Sequence, residues 1–79
     1  MVIDLYHVKA QWDAEAGVFV AWSDEVPGLA TGADTFEALV GKLKVAIPEL
    51  LEANGLLEPS QEASFSLILE RTERVRAAA

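Results

Sequence analysis

Ser23-Asp-Glu-Val-Pro-Gly-Leu-Ala-Thr-Gly-Ala-Asp-Thr-Phe-Glu37 decides the fold, because over this stretch a sheet hands the chain to a helix. Pro27 fixes its own φ and Gly28 accepts a positive φ, so the pair predicts the centre of a type II turn. Asp34 predicts a helix N-cap with Glu37 reaching back, a D-x-x-E form of the capping box, and Thr35 is the competing cap. Leu29 to Ala33, between turn and cap, is short and rich in small residues and predicts a brief third strand at most.

Upstream of this stretch, Val2 to Trp12 alternates, with Tyr6, Val8, Ala10 and Trp12 on one side and His7, Lys9 and Gln11 on the other. That is the period of a strand with a dry and a wet face. Asp13-Ala-Glu-Ala-Gly17 reads as a hairpin loop, and Val18 to Ser23 as the second strand. Pairing Trp12 with Val18 sets Ala10 opposite Val20 and Val8 opposite Trp22, all on the dry face. Both tryptophans are then expected in the core.

Downstream, Phe36, Leu39, Val40, Leu43, Ile47, Leu50 and Leu51 fall within ~120° of a helical wheel, which predicts a helix from Phe36 to Asn54 lying on the dry face. Asn54-Gly55 is its stop. Pro48 lacks the N–H for the carbonyl four residues earlier, so a kink between Lys44 and Pro48, or two shorter helices, is expected. Ser64 to Arg71 alternates again, with Phe65, Leu67 and Leu69 opposed to Ser66, Ile68 and Glu70, and gives a fourth strand. The expected architecture is α+β: a small antiparallel sheet in the order β-β-β-α-β with one helix on one face. Residues 1–71 form a single domain and residues 72–79 a tail.

One helix covers one face. The other face is expected to show Ile3, Leu5, Phe19, Ala21 and Ile68 among its polar residues, and a patch of this kind marks an association surface. The composition agrees: 52% of residues are hydrophobic, high for 79 residues without cysteine, and self-association is the remaining source of stability. A net charge of −7 disfavours direct nucleic-acid binding and favours a basic protein partner. No apolar run long enough to span a membrane and no secretory signal is present, so a cytoplasmic protein is expected.

Catalytic chemistry is sparse. His7 is the only histidine and there is no cysteine, so neither a zinc set nor a Ser-His-Asp relay can be assembled in one chain. Asp4, Asp24 and Asp34 could be gathered by a metal-dependent nuclease, but turn and cap roles account for each separately. Gly28 and Gly32 lack the residues of a phosphate-binding loop. No enzyme activity, metal or cofactor is expected. A small-molecule site where subunits meet near His7 and Trp22 is the alternative to an interaction module.

The hairpin around Gly17-Val-Phe-Val-Ala-Trp22, the turn from Asp24 to Gly28, and Gly28-x-x-Thr31-x-x-Asp34-Thr35-x-Glu37 follow one another in an order that resembles the HicB-like antitoxin family, in its short single-domain bacterial branch. The likeness runs from about Tyr6 to Glu52. It implies a partial ribonuclease-H-like fold without that fold's catalytic carboxylates. It also implies an antitoxin that binds and blocks a small basic RNA-cleaving toxin. Pro27, Gly28, Thr31, Asp34, Thr35 and Glu37 match the family's signature, in which these positions shape the fold. Ala33 stands where glycine is usual, one extra residue separates the strand 2 aromatic from Pro-Gly, and Pro48 interrupts the helix.

Overall fold

A computed structural model describes residues 5–78. The elements follow as β1 (Leu5–Asp13), β2 (Val18–Trp22), β3 (Ala30–Ala33), α1 (Phe36–Ala53) and β4 (Ser64–Glu70). They build one four-stranded sheet in the order β3-β2-β1-β4 under one helix.

The sheet is mixed rather than antiparallel throughout. β1 pairs antiparallel with β2 and β2 with β3, whereas β4 lies parallel to β1. Chain direction requires this. Two hairpin reversals leave β3 running the same way as β1, the helix carries the chain back, and β4 then repeats the direction of β1 on its free side.

The first hairpin differs from expectation by one residue. The structure pairs Trp12 with Phe19, Asp13 with Val18, and Lys9 with Trp22. Asp13 belongs to the turn: its Oδ1 accepts from the N–H groups of Glu15 (3.1 Å) and Ala16 (3.2 Å), and its carbonyl accepts from Gly17 N–H at 2.8 Å. Gly17 closes the loop at φ 69°. The loop is thus one residue shorter than expected, and a slip of one residue turns every β2 side chain to the opposite face. Phe19 and Ala21 are therefore buried under the helix, and Val18, Val20 and Trp22 face outward.

The turn after β2 is the expected one. Leu29 N–H donates to the Val26 carbonyl at 3.1 Å across Pro27-Gly28, and Gly28 sits at φ 82°, the geometry of a type II turn. Val26 and Leu29, on either side, are both buried and pin the loop to the core. Thr35, not Asp34, is the N-cap: its Oγ1 accepts from Ala38 N–H at 3.1 Å, while Asp34 is exposed just before the helix. Glu37 lies in the first turn, where its charge suits the helix dipole.

α1 is a single helix with Pro48 inside it, so the two-helix expectation does not hold. Leu39, Leu43, Ile47 and Leu51 are its buried residues, one per turn, with Val40 and Leu50 half-buried and Phe36 exposed. At its end, Leu56 N–H donates to Leu51 O at 2.8 Å and Gly55 N–H to Glu52 O at 3.1 Å, with Gly55 at φ 70°. This is a Schellman close. The core joins the helix stripe to Val8, Ala10, Phe19, Ala21, Val26, Leu29, Ala33 and Leu57.

Candidate interaction surface

The outer face of the sheet is built by register. Residues that share it are Leu5, His7, Lys9 and Gln11 on β1, Val18, Val20 and Trp22 on β2, and Ser64, Ser66, Ile68 and Glu70 on β4. Leu5 is 43% exposed, Trp22 38% and Ile68 60%. Val18 and Val20, half-buried, continue the row of Trp22 along β2 toward the hairpin, opposite Asp13 and Gln11. Trp22, Lys9 and Ile68 stand side by side across three strands, and a shallow groove of about 260 Å³ runs past them between Gln11 and Glu70. Of the five residues expected here, Leu5 and Ile68 are on this face. Phe19 and Ala21 are in the core on the other side, because of the hairpin register, and Ile3 lies outside the described residues.

One end of this face is held by polar contacts that sequence reading missed. β2 ends at Trp22, so the main-chain groups of His7 that would continue the ladder have no strand beside them. Side chains of the loop take its place. Ser23 Oγ donates to the His7 carbonyl at 2.6 Å, and Glu25 Oε1 accepts from His7 N–H at 2.6 Å and lies 2.9 Å from His7 Nδ1. The Glu25 N–H donates in turn to Ser23 Oγ at 3.1 Å. The His7 main-chain hydrogen bond, then the ring hydrogen bond, hold the Glu25 carboxyl below its ordinary value against the opposing effect of desolvation. Ser23-x-Glu25 before Val-Pro-Gly is the signal: a short hydroxyl and a longer carboxylate where a strand must stop.

Trp12 lies on the helix face, with its ring 4.6 Å from that of Phe19 at an interplanar angle of 58°. The Arg71 guanidinium stacks over it, 4.3 Å from the ring centroid. Trp22 is not in the core, a correction that follows from the same register.

The remaining signature positions are structural. Pro27 and Gly28 make the turn, Thr31 pairs with Ala21 in β3, and Thr35 caps the helix. Asp4 lies outside the described residues, and among the described residues no three His, Cys, Asp or Glu side chains are grouped to hold a metal ion. No helix among them is long and apolar enough to cross a membrane. An open cleft of about 340 Å³ between α1 and β4 is lined by Lys44, Ile47, Pro48, Leu57 and Phe65, away from both His7 and Trp22.

A family model described as "Domain of unknown function (DUF1902)" matches residues 5–79. The chain belongs to the DUF1902 family. Its fold is similar to that of the hypothetical protein TTHA1013 from the extremely thermophilic bacterium Thermus thermophilus, solved by crystallography. The two are 51% identical, with a TM-score of 0.68 over 92% of this chain and 99% of that one. No curated protein matches the chain. The two chains thus share a fold, and in this DUF1902 protein one face of the sheet is left uncovered by the single helix.

Proposed function

We propose that this DUF1902 protein is a non-enzymatic interaction module of the HicB-like antitoxin kind, acting in the cytoplasm of a bacterium. It self-associates, and the outer face of its sheet covers a small basic RNA-cleaving protein. One observation carries the reading: Val18, Val20 and Trp22 make an apolar row along β2, with Ile68 across Lys9 from Trp22 and Leu5 nearer the far end, on a sheet face that no described segment covers, and uncovered apolar residues of this kind support a docking surface. The net charge of −7 supplies complementarity to a cationic partner and speeds its encounter. The strand-helix order, the type II turn at Pro27-Gly28 and the Thr35 cap agree with the partial ribonuclease-H-like fold of HicB proteins.

On this reading a small basic protein is expected to be encoded beside this chain's gene, and the test uses that protein. Its RNA cleavage is measured alone, with the parent chain, and with Trp22→Asp or Ile68→Asp. The expected result is inhibition by the parent and at least a tenfold weaker inhibition by either variant, because each places a charge in the middle of the buried patch. Both variants alter exposed residues, so their melting temperatures should match the parent's. RNA cleavage indifferent to the parent chain would overturn the reading, as would full inhibition by both variants.

A further inference from the structure

The chain past β4 is unlike the rest of the molecule. Residues 71–78 form no helix and pair with no strand, and all are exposed, Val75 at 89%. None has a positive φ. The radius of gyration is 15.2 Å and the longest dimension 59 Å, against roughly 12 Å expected for a compact chain of this length. Eight extended residues span about 26 Å, which accounts for the difference. Arg71, Arg74 and Arg76 are half of the chain's six basic residues, while twelve of its thirteen carboxylates precede them. A cationic arm projects from an acidic body.

The arm continues an open edge. β4 is the last strand of the sheet, hydrogen-bonded to β1 on one side only, and its other row of N–H and C=O groups is free to template a strand. The alternation of β4 extends into the arm. Leu67, Leu69 and Arg71 face the helix side, where Arg71 stacks on Trp12 and contacts Glu73, the next residue of that face. Continued along the arm, the same alternation would set Thr72, Arg74 and Arg76 on the outer face with Ile68 and Glu70.

We propose that two copies of this chain join edge to edge, the arm of each lying antiparallel along β4 of the other, with a two-fold axis at Thr72. The proposal rests on the self-association part of the reading above and names where it occurs. With both helices on one side of the joined sheet, the axis must pass through a residue, and charge selects which one. An axis at Thr72 sets Glu70 opposite Arg74, Arg71 opposite Glu73, Leu69 opposite Val75, and Thr72 opposite itself. These four pairings are favourable, since opposite charges, apolar pairs and threonine pairs across antiparallel strands all stabilise, and farther out Ile68 falls opposite Arg76. Moving the axis by one residue either way puts Arg71 on Arg71 or Glu73 on Glu73; moving it by two puts Glu70 on Glu70 or Arg74 on Arg74. Like charges directly opposite destabilise. The result is an eight-stranded sheet that covers both β4 edges, satisfies the arm's main chain and leaves Trp22 open to a different partner.

The test is a charge exchange in the full chain, read by sedimentation equilibrium. Glu70→Arg or Arg74→Glu alone opposes like charges twice per dimer and should weaken dimerisation roughly tenfold or more. The double variant restores opposite charges and should return the dissociation constant to near the parent's. Thr72→Cys, in a chain without other cysteines, should form an intermolecular disulfide on mild oxidation, since residues facing across the axis lie about 4.5–5.5 Å apart. Arg76→Cys should not. A monomeric parent would end both this proposal and the self-association reading. A dimer insensitive to the single charge reversals, or one that the double variant fails to restore, would end the arm assignment alone.

Discussion

Glu25 carries the most informative chemistry at the scale of one residue. Its carboxylate substitutes for a missing strand by accepting from both the main chain and the ring of His7. The native pKa is lowered from the ordinary 4.5, so the fold favours the charged form. A lowered native value means stability that is fully present above the unfolded pKa and is lost as pH falls through the native one. Glu25→Gln should therefore lower the melting temperature at neutral pH, with the gap from the parent closing as the pH is taken below 4.5. Calorimetry across that range checks it; an offset independent of pH would show that the carboxylate charge is irrelevant. Asp13 works in the same local way. Its two main-chain acceptor contacts start the turn and so set the register that turns Phe19 inward.

At the scale of the element, the helix is defined by its ends more than by its middle. Thr35 accepts from Ala38 N–H, so Thr35→Ala should cost about 1 kcal/mol, whereas Asp34→Ala should change stability by a few tenths at most. Urea denaturation of the two variants distinguishes the caps, and the reverse order would return the role to Asp34. Pro48 leaves the Lys44 carbonyl without its helical donor, yet the helix passes through. Leu43, Ile47 and Leu51 are all buried on the same stripe, and their packing holds the turns on both sides of Pro48 against the core. Amphipathic periodicity made the helix and its buried face legible. It did not reveal that burial could override a proline, because a propensity says nothing of what lies underneath.

For the whole molecule, one helix over one sheet gives a thin core. A domain of this size buries about 60% of its unfolded surface, so individual core residues weigh heavily. Leu43 is fully buried in the centre of the stripe, and Leu43→Ala should cost about 2–5 kcal/mol, a large share of the total. Val45, on another face of the helix and 60% exposed, should tolerate alanine within about 0.5 kcal/mol. Equilibrium unfolding of both measures the contrast; equal costs would mean that the stripe is not the core. The same thinness leaves the outer sheet face and the β4 edge bare, which are the two surfaces proposed for partner and for self.

Local chemistry settled much of this protein before any coordinates. The type II turn at Pro27-Gly28, the stop at Asn54-Gly55, the four strands, the helix and their order follow from φ preferences and side-chain period, which neighbouring residues fix among themselves. Tertiary structure alone decided which face of β2 is inside. Val18-Phe19-Val20-Ala21-Trp22 is apolar at every position, so its alternation carries no sign, and the choice passed to one residue of loop length. It also decided that β4 runs parallel beside β1, since a segment's pattern records that it has two faces but not which neighbour or direction will satisfy its edges. Phe19 and Trp22 exchanged places for that reason, and the surface available to a partner changed with them.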